Sequence, residues 1–304
     1  MGKAFLLAHR ARICGGAAVV SILLTVPGCA VRRTTRIQPS QLPPPAREAS
    51  VADLVATVNA QSEAIRTLMA TVDLAPTAGS VYSGVIKEYR DVRGFILLEK
   101  PAMIRMIGQA PIVRTNIFDM VSDGREFKLY IPSKQKFIVG KTEFRRPAKN
   151  SLENLRPQHI LDALLVPSLD SAREKYVLEE AEDGGRRYYV VTVVEPQEDG
   201  GLSLKRKVWF DRSRLEVVRL QIYGPHGAYL EDVQYSDYQD FQGVRYPTRL
   251  EISRPVEDYR LSITIVKATF NQPIAPEKFE LKQPEGAELV ELGAARGPEV
   301  PRGQ

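Results

Sequence analysis

The chain has 304 residues, with 42 basic and 37 acidic side chains, a net charge of +5, and two cysteines. The charges are interleaved along the sequence, which argues against a nucleic-acid-binding protein. Two cysteines exclude a disulfide framework and a thiolate-rich metal site.

The first 28 residues have three parts: a basic region with Lys3, Arg10 and Arg12, an apolar core from Ala17 to Pro27, and Gly28. This is the order of a bacterial secretory signal peptide, and the core is shorter than the roughly 20 apolar residues of a membrane span. Gly28-Cys29 resembles the bacterial lipobox, in which the cysteine is acylated (palmitate is one such acyl group) and becomes the new N-terminus. Pro27 and Val26 depart from the commoner pattern, and an ordinary leader with an incidental cysteine is the alternative. Cleavage before Cys29 removes Cys14 and leaves one thiol, which lipidation would mask. It also removes three basic residues, leaving 39 basic against 37 acidic, a net +2. Ala30 after the cysteine resembles the sorting signal for the outer membrane, so the expected location is its periplasmic face, held by lipid.

Residues 29–48 form the lipid anchor and a tether containing Pro39 and Pro43 to Pro45, which is extended, semi-rigid chain. Residues 49–292 are expected to be one domain, and 293–304 a disordered tail rich in Gly and Pro. The domain opens on a helix. Val51, Leu54, Val55, Val58, Ile65, Leu68, Met69 and Val72 recur at helical spacing, Ser50 can cap the start, and Pro76 lies past the end. From Ser80 the period changes to short runs rich in Val, Ile, Tyr and Phe between turn signals. Strands are expected near 81–90, 94–100, 102–109, 115–122, 125–131 and 135–139. A second set is expected near 175–181, 186–195, 203–211, 214–223, 228–236, 246–254 and 260–269. Between the sets, Ile160, Leu161, Leu164 and Leu165 predict a short helix bounded by Pro157 and Pro167. In "GFILLE", Phe95 and Leu97 face one way and Ile96 and Leu98 the other, so both faces of the sheet should be covered. A filled core and an apolar ligand cavity explain this pattern equally well.

The chain carries no CxxC, HExxH, P-loop, or GxSxG motif, and no GxGxxG follows a strand. His159 and His226 are isolated, one at a proline-bounded helix and one in a glycine turn. Carboxylate pairs such as Glu179-Glu180, and Asp237 with Asp240, read as solvated charge. The expectation is a protein without enzymatic activity and without a cofactor or metal.

Residues 101–140, "PAMIRMIGQAPIVRTNIFDMVSDGREFKLYIPSKQKFIVG", resemble the LolA/LolB lipoprotein-carrier superfamily, on its membrane-anchored LolB side. The pattern is basic Arg105 in a strand, Pro111-Ile112, a strand from Thr115 to Val121, Asp123-Gly124, and a strand from Phe127 to Ile131. "SLENLRPQHILDALLVP" is similar to the family helix that ends in an aliphatic-proline step. The resemblance spans roughly residues 50–270; the tail beyond 271 is outside the family core.

The resemblance implies an α+β, mainly β fold: an incomplete, half-open antiparallel β-barrel closed by helices, with an apolar cavity for acyl chains. It implies a membrane-insertion loop at Pro111, Ile112 and Val113. The residues alone leave Ile112 either at an exposed tip or at the inward-packed start of the next strand. Expected cavity residues are Phe95, Leu97, Ile104, Met106, Phe118, Met120, Phe127 and Trp209, each of which would also serve as ordinary core. Implied partners are acylated lipoproteins or lipids, a soluble periplasmic LolA-like carrier and the membrane, with no nucleic acid. A structural or adaptor lipoprotein that binds another envelope protein is the alternative.

Overall fold

The computed structural model describes residues 45–79, 87–88, 92–110, 112–142 and 156–292. The chain divides into two units, residues 1–42 and Pro43–Gln304, and all described residues belong to the second. The leader, Cys29, most of the tether, Pro111 and the tail from 293 lie outside them.

The elements are α1 (Val51–Glu63), β1 (Thr67–Ala78), β2 (Lys87–Glu88), β3 (Val92–Glu99), β4 (Met103–Gln109), β5 (Asn116–Ser122), β6 (Glu126–Ile131), β7 (Lys136–Lys141), α2 (Pro157–Leu164), β8 (Lys175–Asp183), β9 (Arg186–Pro196), β10 (Leu202–Asp211), β11 (Val217–Tyr223), β12 (Tyr229–Phe241), β13 (Val244–Arg254), β14 (Tyr259–Phe270) and β15 (Glu288–Leu292). Among the described residues one sheet takes in every strand, in the order β15-β7-β6-β5-β4-β3-β1-β14-β13-β12-β11-β10-β9-β8, with β2 beside β1. All its pairs are antiparallel except β15 on β7. β8 and β15 are its two edges, so the sheet is open. Among the described residues the fold is mainly β, an unclosed barrel-like sheet with two α-helices.

α1 starts as its sequence directs: the Ser50 hydroxyl accepts from the Asp53 amide, and the Asp53 carboxylate accepts from the Ser50 amide. Leu54, Val55 and Val58 are buried. The helix then stops at Glu63, nine residues short of the expected Val72. Leu68, Ala70, Val72 and Leu74 also fit a period of two, and all four are buried. β1 pairs on both sides, with β3 and β14, and these ladders override the helical reading of Leu68, Met69 and Val72. Pro76, expected beyond a helix end, lies in β1 after its last pair with β3, Leu74↔Val92. Of the strand expected at 81–90, only Lys87–Glu88 is described.

The inward face carries one continuous apolar cluster, into which α1 and α2 also pack. The helices therefore cover the same face that the strands curve around, rather than the opposite one. The outward face is covered only in part. There Val121, Ile274 and Phe279 pack with Met69, Leu97, Met103 and Leu281. The segment after Phe270 supplies this cover and then adds β15, an element the sequence reading missed. Arg105 holds the segment down. Its guanidinium makes two bonds to Asp119 (3.0 and 2.7 Å) and donates to the carbonyls of Lys278 (2.9 Å) and Glu280 (3.2 Å).

Candidate functional site

The β4–β5 turn stands out first. The Ala110 amide donates to the Thr115 carbonyl, and the Arg114 amide to the Ala110 carbonyl. This closed turn presents Ile112 and Val113 at 91% and 69% exposure. β5 begins only at Asn116, so Ile112 does not start a strand. Beside the turn, a groove of about 800 Å³ runs over the outward faces of β4, β3, β1 and β14. Phe95 (39% exposed), Arg93, Arg114, Gln109 and Thr264 line it, and Arg93 pairs with Asp73 at 3.0 Å.

The predicted cavity residues divide between the two faces. Ile104, Met106, Phe118, Met120 and Phe127 come together on the inward face, all buried. The ladders explain this: Met106 pairs with Met120, Gly108 with Phe118, and Ser122 with Phe127. Gly108 is required, because a Cβ there would stand 2.4 Å from the Phe118 ring. Phe95 and Leu97 lie on the outward face, one in the groove and the other beside the Val121 cluster. Trp209 is also outward, over β10 and β11, where it donates to Gln221 (3.0 Å) and meets the Arg219 guanidinium at 5.5 Å. The inward five are packed side to side with the helices, and none lines the 800 Å³ groove.

α2 packs on β4 and β5 and buries Ile160, Leu161, Ala163 and Leu164. Polar hooks hold it from the far side of the sheet. The Tyr235 hydroxyl donates to the Ala163 carbonyl (2.9 Å), and the Tyr246 hydroxyl to the Leu164 carbonyl (2.6 Å). These are carbonyls of the last helical turn, which the helix itself leaves unbonded. Burial pushes both phenols up, so they remain neutral donors.

Near the other end of α2, Arg254 lies in the core. It donates to Glu231 (2.8 Å) and Glu257 (2.7 Å) and stands 3.3 Å from His159 Nε2. Burial pushes Glu231 up to about 7, against the pull of Arg254. It likewise raises Asp162 to about 6, against the bond it accepts from Gln158. No local pattern announces this cluster, because a single charged residue in a strand reads as a solvated one. His226 takes a left-handed conformation in the exposed β11–β12 turn. Among the described residues, no three His, Cys, Asp or Glu side chains are placed to hold a metal ion, and no helix is long and apolar enough to cross a membrane.

No protein-family model matches the chain, and no curated protein matches it. Solved structures do. A DUF1329 family protein from Desulfovibrio piger is 15% identical, with a TM-score of 0.48 over 75% of this chain and 95% of its own. A structure from Vibrio parahaemolyticus, described as an outer membrane lipoprotein-sorting protein domain, is 13% identical, with a TM-score of 0.47 over 74% and 94%. A LolA superfamily protein from Nitrosomonas europaea is 13% identical, with a TM-score of 0.46 over 75% and 97%.

Proposed function

We propose that the chain is a lipoprotein of the LolB kind, held by acylated Cys29 at the periplasmic face of the outer membrane. It takes acyl chains of lipoproteins or lipids and passes them to the membrane, making and breaking no bond. The observation that carries this reading is the β4–β5 turn, which is closed by the Ala110–Thr115 and Arg114–Ala110 backbone bonds and holds Ile112 out in water. Moving that side chain from water into an apolar phase such as a bilayer interior is favourable in proportion to the apolar area it buries.

In this reading α2 occupies the place of the acyl chain. The inward floor of Ile104, Met106, Phe118 and Met120 is apolar and partly thioether, which suits chains of variable shape. Burial of Ile160, Leu161 and Leu164 is worth about 5–9 kcal/mol. A sixteen-carbon chain gains roughly 12 kcal/mol at about 0.8 kcal/mol per methylene. Exchange of helix for acyl chain is then favourable by a few kcal/mol, enough for binding and too little for a trap.

The packed inward face also favours a second reading, an adaptor whose core stays closed and which binds an envelope protein. Titration with a fluorescent palmitoylated peptide separates the two. The carrier binds it and Met106→Glu abolishes binding; an adaptor ignores the peptide in both forms.

A further inference from the structure

The ladders fix which turns share an end of the sheet. The β4–β5 and β13–β14 turns lie at the same end of the strands, because β4, β3, β1, β14 and β13 alternate in direction between them. Four strand spacings separate the two turns, about 19 Å along the sheet. Their sequences run alike. In one, Pro111 is followed by Ile112; in the other, Pro255 is followed by Val256, which is 53% exposed. Proline brings no amide proton that would need a partner away from water. In the second turn, the Glu257 charge is turned inward onto Arg254. The Phe95 groove opens on the outward face between these turns, with Arg93 and Arg114 on its walls.

We propose that this rim docks on a bilayer surface through both turns, with Ile112, Val113 and Val256 entering the acyl boundary and Arg93, Arg114 and Arg260 among anionic headgroups. The proposal rests on the membrane-tip reading of the β4–β5 turn and extends it to a second contact. A bilayer fits better than a protein partner because the apolar side chains stand on two turns four strand spacings apart, with arginines on the groove between them, whereas a protein interface has a contiguous apolar centre. Among the described residues the rim carries Arg93, Arg114 and Arg260 against Asp73 and Asp258, three charges against two: Arg93 and Asp73 offset each other at 3.0 Å, Asp258 is half-buried, and the remaining sign is positive. Leu202, at the same end of the strands, is 67% exposed but follows Glu198 and Asp199, so an anionic surface repels it.

The tether permits this pose. The Arg47 amide donates to the Arg212 carbonyl (2.7 Å), which places the start of the domain at the opposite end of the strands. Residues 29–44 are 16 residues and reach at most ~55 Å, while β1, with 12 residues, is ~40 Å long. Anchor and rim can meet one membrane.

The test is flotation of the chain from residue 29 onward, without the apolar leader and with Cys29→Ser so that neither leader nor acyl group contributes, on vesicles of phosphatidylethanolamine and phosphatidylglycerol. Ile112→Asp should weaken partition about thirty-fold and Val256→Asp about five-fold, from the apolar surface each loses. Val256→Leu should tighten it, and Leu202→Asp should leave it unchanged. Loss with Ile112→Asp but parental binding by both Val256 variants overturns the two-turn rim and leaves the single-tip reading standing. Parental binding by Ile112→Asp overturns both. A parent that ignores vesicles, with variants that instead lose an envelope protein, makes the rim a protein interface and ends the proposal.

Discussion

Tyr246→Phe removes one oxygen and nothing else, and it removes the hydroxyl that bonds the Leu164 carbonyl at 2.6 Å. The ring remains packed against Phe270 at 5.1 Å, so no cavity forms. A buried hydrogen bond contributes about 1 kcal/mol net, and a buried carbonyl left unpaired costs about 1–3 kcal/mol, so α2 should loosen by about 2 kcal/mol. Two measurements follow. Hydrogen exchange of the α2 amides should speed up about thirty-fold while exchange in β1 and β14 stays at the parental rate. Because α2 and the acyl chain compete for one floor, palmitoylated-peptide affinity should rise by a similar factor, up to about thirty-fold. Faster exchange in α2 with unchanged or weaker peptide binding would refute the competition; unchanged exchange would refute the hook itself.

Three further outcomes are expected. Gly108→Val should destabilise the domain by about 2–4 kcal/mol in a urea melt, since the Phe118 ring cannot leave its place over β4 without opening the core. Arg105→Met leaves Asp119 buried without its cation and should cost about 3–5 kcal/mol, with early proteolysis after Phe270; Asp119→Leu in the same chain should restore most of the loss. Asp162→Asn tests the burial of that carboxyl. The folded pKa of about 6 is raised, so between roughly pH 4 and 6 the folded state holds a proton that the unfolded state has released, and stability falls as pH rises through that window. Asparagine has no such term. The variant should melt above the parent at pH 7.5 and alongside it at pH 4, and equal melting at both would contradict the burial.

The strands were legible because most of them alternate in the sequence itself. "MIRMIGQ" buries Ile104, Met106 and Gly108, and "YRLSITIV" buries Leu261, Ile263 and Ile265. The short helix at Ile160 was legible from its proline bounds. The end of α1 was not, because Leu68, Met69 and Val72 satisfy both periods and the ladders that decide between them come from residues 92–99 and 259–270. β15 is five residues with two glutamates and pairs with residues 152 positions earlier, so no local signal announces it. Of the site, the exposed Ile112 was visible as an apolar residue after proline at a turn. Val256 gave the same signal after Pro255 and was overlooked. The split of the eight aromatic and aliphatic candidates was out of reach, since alternation shows that two faces exist but not what lies on each. The Arg105 clamp joins residues more than 170 apart and needed the fold.

Uptake of an acyl chain by this fold is read out by native mass spectrometry of the chain from residue 29 onward with Cys29→Ser, purified without added detergent and with lipid extraction alongside. A bound acyl lipid is expected at one per chain, displaced by a palmitoylated peptide and lost in Met106→Glu. A protein that carries no lipid and stays bare at saturating palmitoylated peptide would contradict it.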